Sequence, residues 1–298
     1  MLITSETLNM LTTAYQTSFQ KGLKAASPRA LEIAMKTKST SGETIYPWLG
    51  QFPQLREWIG DRQITQLKAF GWLIKNRLFE STVIVPRIAI EDDQYGLFAP
   101  LFEQMGDTTA LHPDRLLFEL IQMGFQSKCY DGQNFFDAEH PLKMDNAGDE
   151  VLVSNMQPGV GPAWFLIDAS KPIRSFVWQE RLPYEFQTIN THNSERVVLK
   201  DEYLYGVRGR VNAGYGLWQL AFGSKAALDW ANYAAARHSM QSLRGDTGGL
   251  LGITPTHLIV GPSLEQAALE LLKAALVENG RSNIWMDSAK LIVSPFLD

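Results

Sequence analysis

Apolar residues recur at three- and four-residue steps near the start of the chain: Leu8, Leu11, Tyr15, Phe19 and Leu23, each ringed by polar positions. That spacing predicts an amphipathic helix over residues 5–26, with Ser5 or Thr7 as its cap. Two roles fit it: a helix packed on its own domain, or an arm that reaches a neighbouring molecule. The polar run Lys36 to Thr44 then predicts a hinge.

The pattern changes over residues 46–94. Tyr46, Pro47, Trp48, Gly50, Phe52, Pro53, Trp58 and Gly60 mix aromatics with turn formers; Phe70, Trp72 and Ile74 then alternate with Gly71, Leu73 and Lys75. Val83 to Ile90 is rich in β-branched residues, and Pro86 within it favours an edge strand or bulge. A hairpin turning near Lys68–Gly71 fits best. Arms of about 15 residues would reach on the order of 50 Å at about 3.3 Å per residue. Such an excursion has little core of its own and needs a surface to lie on. Exposed edges invite pairing unless they are charged or covered, and Arg56, Glu57, Asp61, Arg62, Lys75 and Arg77 supply both signs of charge. The plainer alternative is an ordinary meander within one core.

Helical spacing returns at Leu97, Leu101, Met105, Leu111, Leu116, Leu120 and Met123, and Gly124 marks the stop. Pro113 kinks or restarts this helix. Asp131-Gly132 is a turn signal. Strands are predicted at Ala163–Asp168, at Ile173–Gln179 and within Tyr203–Phe222. From residue 224 onward the character shifts: an alanine-rich helix over 225–243, a buried strand at Thr256–Val260, a capping-box pattern at Ser263–Gln266 opening a helix that ends at Asn279-Gly280, and a strand at Leu291–Val293. The fold class expected is α+β.

Composition narrows the function. With 45% hydrophobic and 20% charged residues, 298 residues can bury a sizeable core in one large domain or two modest ones. A net charge of −5 argues against tight, sequence-blind binding of nucleic acid. Cys129 is the one cysteine, so no intrachain disulfide forms. The N-terminal residues lack the pattern of a secretory signal, and no run of about 18 apolar residues predicts a membrane span.

No catalytic grouping, cofactor loop or metal site emerges. His112, His140, His192, His238 and His257 do not share a zinc-ligand spacing. Asp137-Ala138-Glu139-His140 collects three ligand types but reads as a solvated turn before Pro141. Gly159-Val160-Gly161 and Gly214-Tyr215-Gly216 begin like dinucleotide loops, yet neither opens a helix, and both read as bends or bulges. Gly261-Pro262-Ser263 joins a strand to a helix start where an anion could sit, though a plain capped helix is the better reading. Glu91-Asp92-Asp93 has no partner for acid–base work, and no Gly-x-Ser-x-Gly elbow is present.

Longer segments carry a resemblance. Trp48 to Arg62, Phe79 to Gly96, Cys129 to Pro141, the triplet His112-Pro113-Asp114, and Thr254 to Leu264 occur in one order. Together they resemble the major head subunits of Mu-like bacteriophages and prophages, over nearly the whole chain. The resemblance implies a Hong Kong 97-type capsid fold: an N-terminal arm at 1–45, an extended loop at 46–94 lying over an adjacent subunit, a peripheral domain at 95–223 with a spine helix at 95–124, and an axial domain at 224–298. It implies a shell protein with no catalytic site and no cofactor. The partners implied are copies of itself, a separate scaffold, a maturation protease, a portal protein and packaged double-stranded DNA in weak contact. The place implied is the virion, with assembly in the host cytoplasm. Trp48, Phe52, Arg56, Trp58, Asp61, Arg62, Lys75 and Arg77 are the candidate subunit-contact residues, because aromatics and arginine favour interfaces. An encapsulin-like nanocompartment shell around an enzyme cargo, and a soluble enzyme, remain the alternatives.

Overall fold

The structure, a computed structural model, describes residues 3–47, 49, 72–92, 94–143, 150–191, 194–245, 249–276 and 280–298. Helix α1 runs Ser5–Ala25 along the predicted apolar stripe. Its cap is Thr4, one position ahead of Ser5 and three ahead of Thr7, the caps expected: the Thr4 hydroxyl accepts from Thr7 N and the Thr7 hydroxyl accepts from Thr4 N. α2 is a single turn, Ala30–Ile33. Its N-terminal N–H groups have no side-chain cap of their own; the Asp114 carboxylate accepts from Arg29 N at 3.1 Å and Ala30 N at 2.7 Å.

The polar run expected as a hinge is instead largely paired backbone. β1 (Ala34–Lys38) lies parallel to a distant strand, and β2 (Glu43–Tyr46) pairs antiparallel with β3 (Trp72–Lys75). The reason is tertiary. Each strand residue pairs with a partner more than 25 positions away, so local polarity carries no trace of it. β4 (Arg77–Pro86) corrects a second expectation. It does not stand free of the body but pairs along its whole length with β10, as the edge strand of a sheet, and Pro86 ends it. The predicted turn near Lys68–Gly71 lies outside the described residues.

α3 (Arg87–Glu91) leads through a 3-10 turn at Tyr95–Phe98 into α4, Ala99–Gln122, which continues unbroken through Pro113. Its 24 residues span about 36 Å. β5 (His140–Lys143) and β6 (Glu150–Val153) form a ribbon, followed by β7 (Met156–Gln157) and β8 (Trp164–Ile167). β9 (Phe176–Ile189) runs ten residues past the predicted end. Its register against β10 (Glu202–Tyr215) shifts near Arg208–Val211, opposite Pro183, so a bulge accommodates the proline that hid the strand from sequence reading. Helix α5 (Glu195–Lys200) joins β9 to β10. β11 (Ala221–Ser224), α6 (Trp230–Gln241), β12 (His257–Val260), α7 (Glu265–Lys273) and β13 (Lys290–Val293) complete the chain. α7 has no side-chain cap and stops at Lys273, ahead of the predicted glycine.

The strands form a four-stranded sheet, β1-β9-β10-β4, and a five-stranded sheet, β13-β12-β8-β11-β7. Two hydrophobic clusters result. The smaller gathers Leu8, Leu11, Tyr15 and Phe19 of α1 with Phe102 and Met105 of α4 and Tyr203, Tyr205 and Val207 of β10. The larger takes Leu116 to Phe118 and Ile121 of α4, Phe176 to Trp178 of β9, Val211 to Tyr215 of β10, and the inner faces of α6, α7 and the second sheet. α4 and β10 therefore run through both.

α1 crosses α4 at a pair of glycines. A Cβ on Gly22 would fall against Glu103 O, and one on Gly106 against Phe19 O, both inside contact distance. The helix backbones approach only because neither carries a side chain there. Gly106→Val should force the helices apart and cost about 1–3 kcal/mol of unfolding free energy. Gly42→Ala meets nothing within 4 Å and should be near neutral. Chemical denaturation of both variants checks the contrast; equal losses would show that the crossing tolerates separation.

Candidate subunit-contact site and the buried polar clusters

Of the eight candidate contact residues, Trp48, Phe52, Arg56, Trp58, Asp61 and Arg62 lie outside the described residues. Lys75 and Arg77 are described, and both are solvent-exposed. They sit at the foot of the excursion. The register places Tyr46 opposite Trp72, so the chain leaves and returns at one point, and the 25 residues from 47 to 71 lie beyond that pair.

This foot is clamped by buried polar side chains. Gln179, fully buried on β9, accepts from the Tyr46 hydroxyl at 2.8 Å and donates to Ile74 O at 3.0 Å and Asn76 Oδ1 at 2.9 Å. The Asn76 amide donates to Ser39 Oγ and to the carbonyls of Ser41 and Gly42. Thr37 Oγ1 bonds the Tyr46 hydroxyl. Ile74 reaches the larger core over Gly214, where a Cβ would meet its side chain. Leu49, fully buried in the same core, pins the outgoing chain. Arg77 lies over the Phe79 ring at 4.9 Å, and Phe79 meets His112 edge-on at 4.3 Å. His112 Nδ1 in turn bonds the Tyr184 hydroxyl at 2.5 Å. Burial, with the charges of Arg115 and Arg77, lowers the His112 value below its usual range and favours the neutral ring.

A second cluster lies where α4 hands on to the five-stranded sheet. Cys129, Asp131 and His140 bring their Sγ, carboxylate and ring nitrogen within 4.8 Å of one another, the tightest ligand-type set among the described residues. Each atom already has a partner. His140 Nδ1 lies 2.7 Å from Asp131 Oδ2, and the Cys129 thiol donates to Asp131 Oδ1 at 3.1 Å. Burial, then the Asp131 charge, push the thiol value well up, so it stays protonated, a poor metal ligand. Burial also raises Asp131, but the His140 bond and charge outweigh it and hold that carboxyl below the ordinary range. The run Asp137–His140, expected as a solvated turn, is one only in part: His140 is fully buried against Asp131, while Asp137 and Glu139 stay out of the set and Asp137 accepts from the backbone of Asn134 and Glu139.

The other motifs resolve into packing. Gly159 and Gly161 let the chain run against Lys225 O, which accepts from Gly161 N at 3.0 Å; Gly216 packs against Arg174 O and donates its N–H to Ser175 O at 2.7 Å. The Gly261–Ser263 cradle does hold an anion, and it is the chain's own: Asp298 accepts from Ser263 N at 2.9 Å and from Ser263 Oγ at 2.8 Å. Sequence reading missed Gln179 and Asn76 at the foot, and, at the second cluster, Asn155, whose Oδ1 lies 3.2 Å from His140 Nε2 and whose amide donates to Phe135 O, and Trp218, which stacks on the His140 ring. Their partners lie up to 133 positions away, and no local spacing marks them.

Comparison with known proteins adds family likeness. The sequence pattern of the Mu-like prophage major head subunit gpT matches residues 8–297. The chain is 38% identical to the major capsid protein of Escherichia phage Mu over the full length of both. It is also 38% identical to the Mu-like prophage FluMu major head subunit of Haemophilus influenzae, over 99% of each. Its structure superposes on a chain of the bacteriophage JBD30 procapsid with a TM-score of 0.88 and 39% identity, covering 99% of this chain and 100% of that one.

Two outcomes follow from the geometry. Gln179→Ala should lose about 1–3 kcal/mol, since it strands the Tyr46, Ile74 and Asn76 groups. It should also speed proteolytic cleavage between residues 47 and 71; unchanged cleavage would show that the foot does not depend on this amide. His112 sets an acid limb. The unfolded ring takes up its proton near pH 6.5 and the folded ring only below that. The contribution of the neutral ring is therefore complete above about pH 6.5 and is lost as pH falls through the folded value. The stability gap between the native chain and His112→Gln, measured by denaturation, should narrow from pH 7.5 to pH 5.5.

Proposed function

This chain belongs to the Mu-like prophage major head subunit family, and we infer from that membership how its parts divide the work of building a shell. It is a major capsid protein with the Hong Kong 97-type α+β fold, and copies of it form the head shell. Its relatives at 38–39% identity, matched along their whole lengths, are named as head or capsid proteins, which favours this reading over the nanocompartment and soluble-enzyme alternatives.

In our reading the segment 47–71, anchored in its own core at Leu49, otherwise lies on a neighbouring subunit. The single observation that carries this is the Tyr46–Trp72 register: a long, aromatic- and arginine-containing stretch begins and ends at one clamped point. Trp48, Phe52, Arg56, Trp58, Asp61 and Arg62 would make the contact, with Lys75 and Arg77 at its base. A shell needs contacts in which one surface meets a different surface on the next copy. Many such contacts, each modest, give a long-lived assembly. Residues 1–45 serve as the N-terminal arm, 95–223 as the peripheral domain with its spine helix, and 224–298 as the axial domain. Within 46–94, the part from 72 onward belongs to the base of the loop, because β3 and β4 are paired inside the subunit.

The remaining partners follow the same reading: a scaffold and a maturation protease during assembly in the host cytoplasm, a portal protein, and double-stranded DNA held weakly. A subunit of net charge −5 suits a container that must release its genome. The role is construction without catalysis. The histidines and acids of the two polar clusters are engaged by structural partners, as His112 is by Tyr184 and Asp131 by His140.

Replacing residues 52–69 by a short Gly-Ser linker tests the loop. The ends are already adjacent, and Leu49, Ile74 and β4 are kept. The variant should unfold with a native-like midpoint and build no closed shells by electron microscopy when expressed with the family's scaffold. Closed shells of native size would overturn the assignment.

A further inference from the structure

Two strand edges of this subunit have no neighbour among the described residues, and they lie on opposite flanks. β1 is the outermost strand of the four-stranded sheet and pairs only with β9. β6 belongs to a two-stranded ribbon and pairs only with β5. The five-stranded sheet lies between them. β13, at one edge of that sheet, is tied to α2, the turn that leads into β1: Lys290 pairs with Glu32, and His257 of the adjacent β12 lies 4.0 Å from the same carboxylate. β6 runs through Asn155 into β7, the strand at the other edge. Four inter-strand steps of about 4.8 Å, about 19 Å in all, separate β13 from β7. A chain that meets copies of itself head to tail needs two unlike surfaces placed apart in this way.

The two edges are complementary in charge and in shape. Beside β1 an open cavity of about 500 Å³ is lined by Leu31, Met35, Lys36, Lys171, Pro172 and Arg174, with no carboxylate in its wall. Arg174 gives one guanidinium nitrogen to Glu32 O at 2.7 Å and Ala34 O at 3.0 Å, and Lys36 pairs with Glu180 at 3.0 Å. Lys171 has no carboxylate partner among the described residues. β6 has the opposite character. Val151 and Leu152 are 41% and 60% exposed, and the six residues Asp145 to Glu150 ahead of them contain three carboxylates and no cation. Charge on an edge strand by itself guards against pairing. An apolar cavity with a cationic rim beside that edge does more, because it receives the side chains of an added strand.

We propose that β6 of one copy adds to the outer edge of β1 of the next, with Leu152 over Leu31 and Met35 and its acidic end against Lys171. Main-chain pairing supplies the affinity, and the cavity and its charge select the partner. Each subunit gives one edge and takes one, so the contact propagates from copy to copy. It rests on the shell reading above and is separate from the contact assigned to residues 47–71.

The test uses the full chain expressed with the family's scaffold, with one cysteine placed on each edge: Lys38→Cys on β1, an exposed position, and Val151→Cys on β6. The native Cys129 is buried. In intact particles a short bis-maleimide should join the doubly substituted chain into a ladder of dimers and longer oligomers on a denaturing gel. Each single variant, and the unassembled double variant, should run as monomer. Separately, Lys171→Glu should lower the yield of particles about tenfold or more at an unchanged unfolding midpoint, and Glu150→Lys added to it should restore most of that yield. Monomers alone from intact particles of the double variant would overturn this contact and leave the shell reading standing. A loss in Lys171→Glu that Glu150→Lys does not repair would put a different partner on β1 and overturn it as well. Failure of the native chain to build particles would remove the shell reading, and this contact with it.

Discussion

The pairing of β9 with β10 is the interaction on which the rest of the subunit depends. The first five residues of β9 carry β1, and its far half, with β10, backs the helices α1 and α4. β10 in turn holds β4 along ten residues, and its two halves belong to different hydrophobic clusters. A single long antiparallel ladder thus joins two cores into one body. α4 does the same on the opposite side, with Phe102 in one core and Ile121 in the other. For a shell subunit this matters mechanically, because force applied at one end is carried by hydrogen-bonded backbone and not by a linker.

Two devices refine that frame, and both rest on small or polar residues where apolar ones would be expected. At the helix crossing, Gly22 and Gly106 let backbones touch, which places the aromatic cluster of Tyr15, Phe102 and Tyr205 in contact: Tyr15 stacks on Phe102 at 4.3 Å and meets Tyr205 edge-on at 5.0 Å. At the foot of the loop and at the Asp131–His140 cluster, buried amides take up nearby backbone groups. Fully satisfied polar clusters of this kind specify one arrangement, since slipping by one residue would strand several groups at once. A loop intended for a neighbour needs such a base: ordering it within the subunit reduces what must be ordered on contact.

The electrostatics follow the same division of labour. Exposed ion pairs such as Lys21–Glu103 and Arg115–Glu119 lie on helix surfaces, where pairs contribute little, about 1 kcal/mol or less each. His112, whose neutral ring is favoured by burial and by the charges of Arg115 and Arg77, sits instead at a joint, beneath the first residues of β4.

Elements with local signals were legible in the sequence. α1 and α4 show their apolar stripes because every third or fourth residue faces the same core, and a helix makes its own hydrogen bonds. Strands β8, β12 and β13 were visible as short apolar runs, and the resemblance of whole segments identified the family. What only the tertiary structure decided were pairings between distant parts of the chain. The Lys36–Thr44 run is polar yet begins and ends in strand, because its partners are β9 and β3; β9 extends past Pro183 because a bulge absorbs the proline. Of the candidate site, Lys75 and Arg77 were named from composition, and the structure places both, exposed, at the foot of the loop. Gln179, Asn76 and Asn155 were not, because a buried amide is chosen by the backbone groups that surround it, and those are assembled only when the chain has folded.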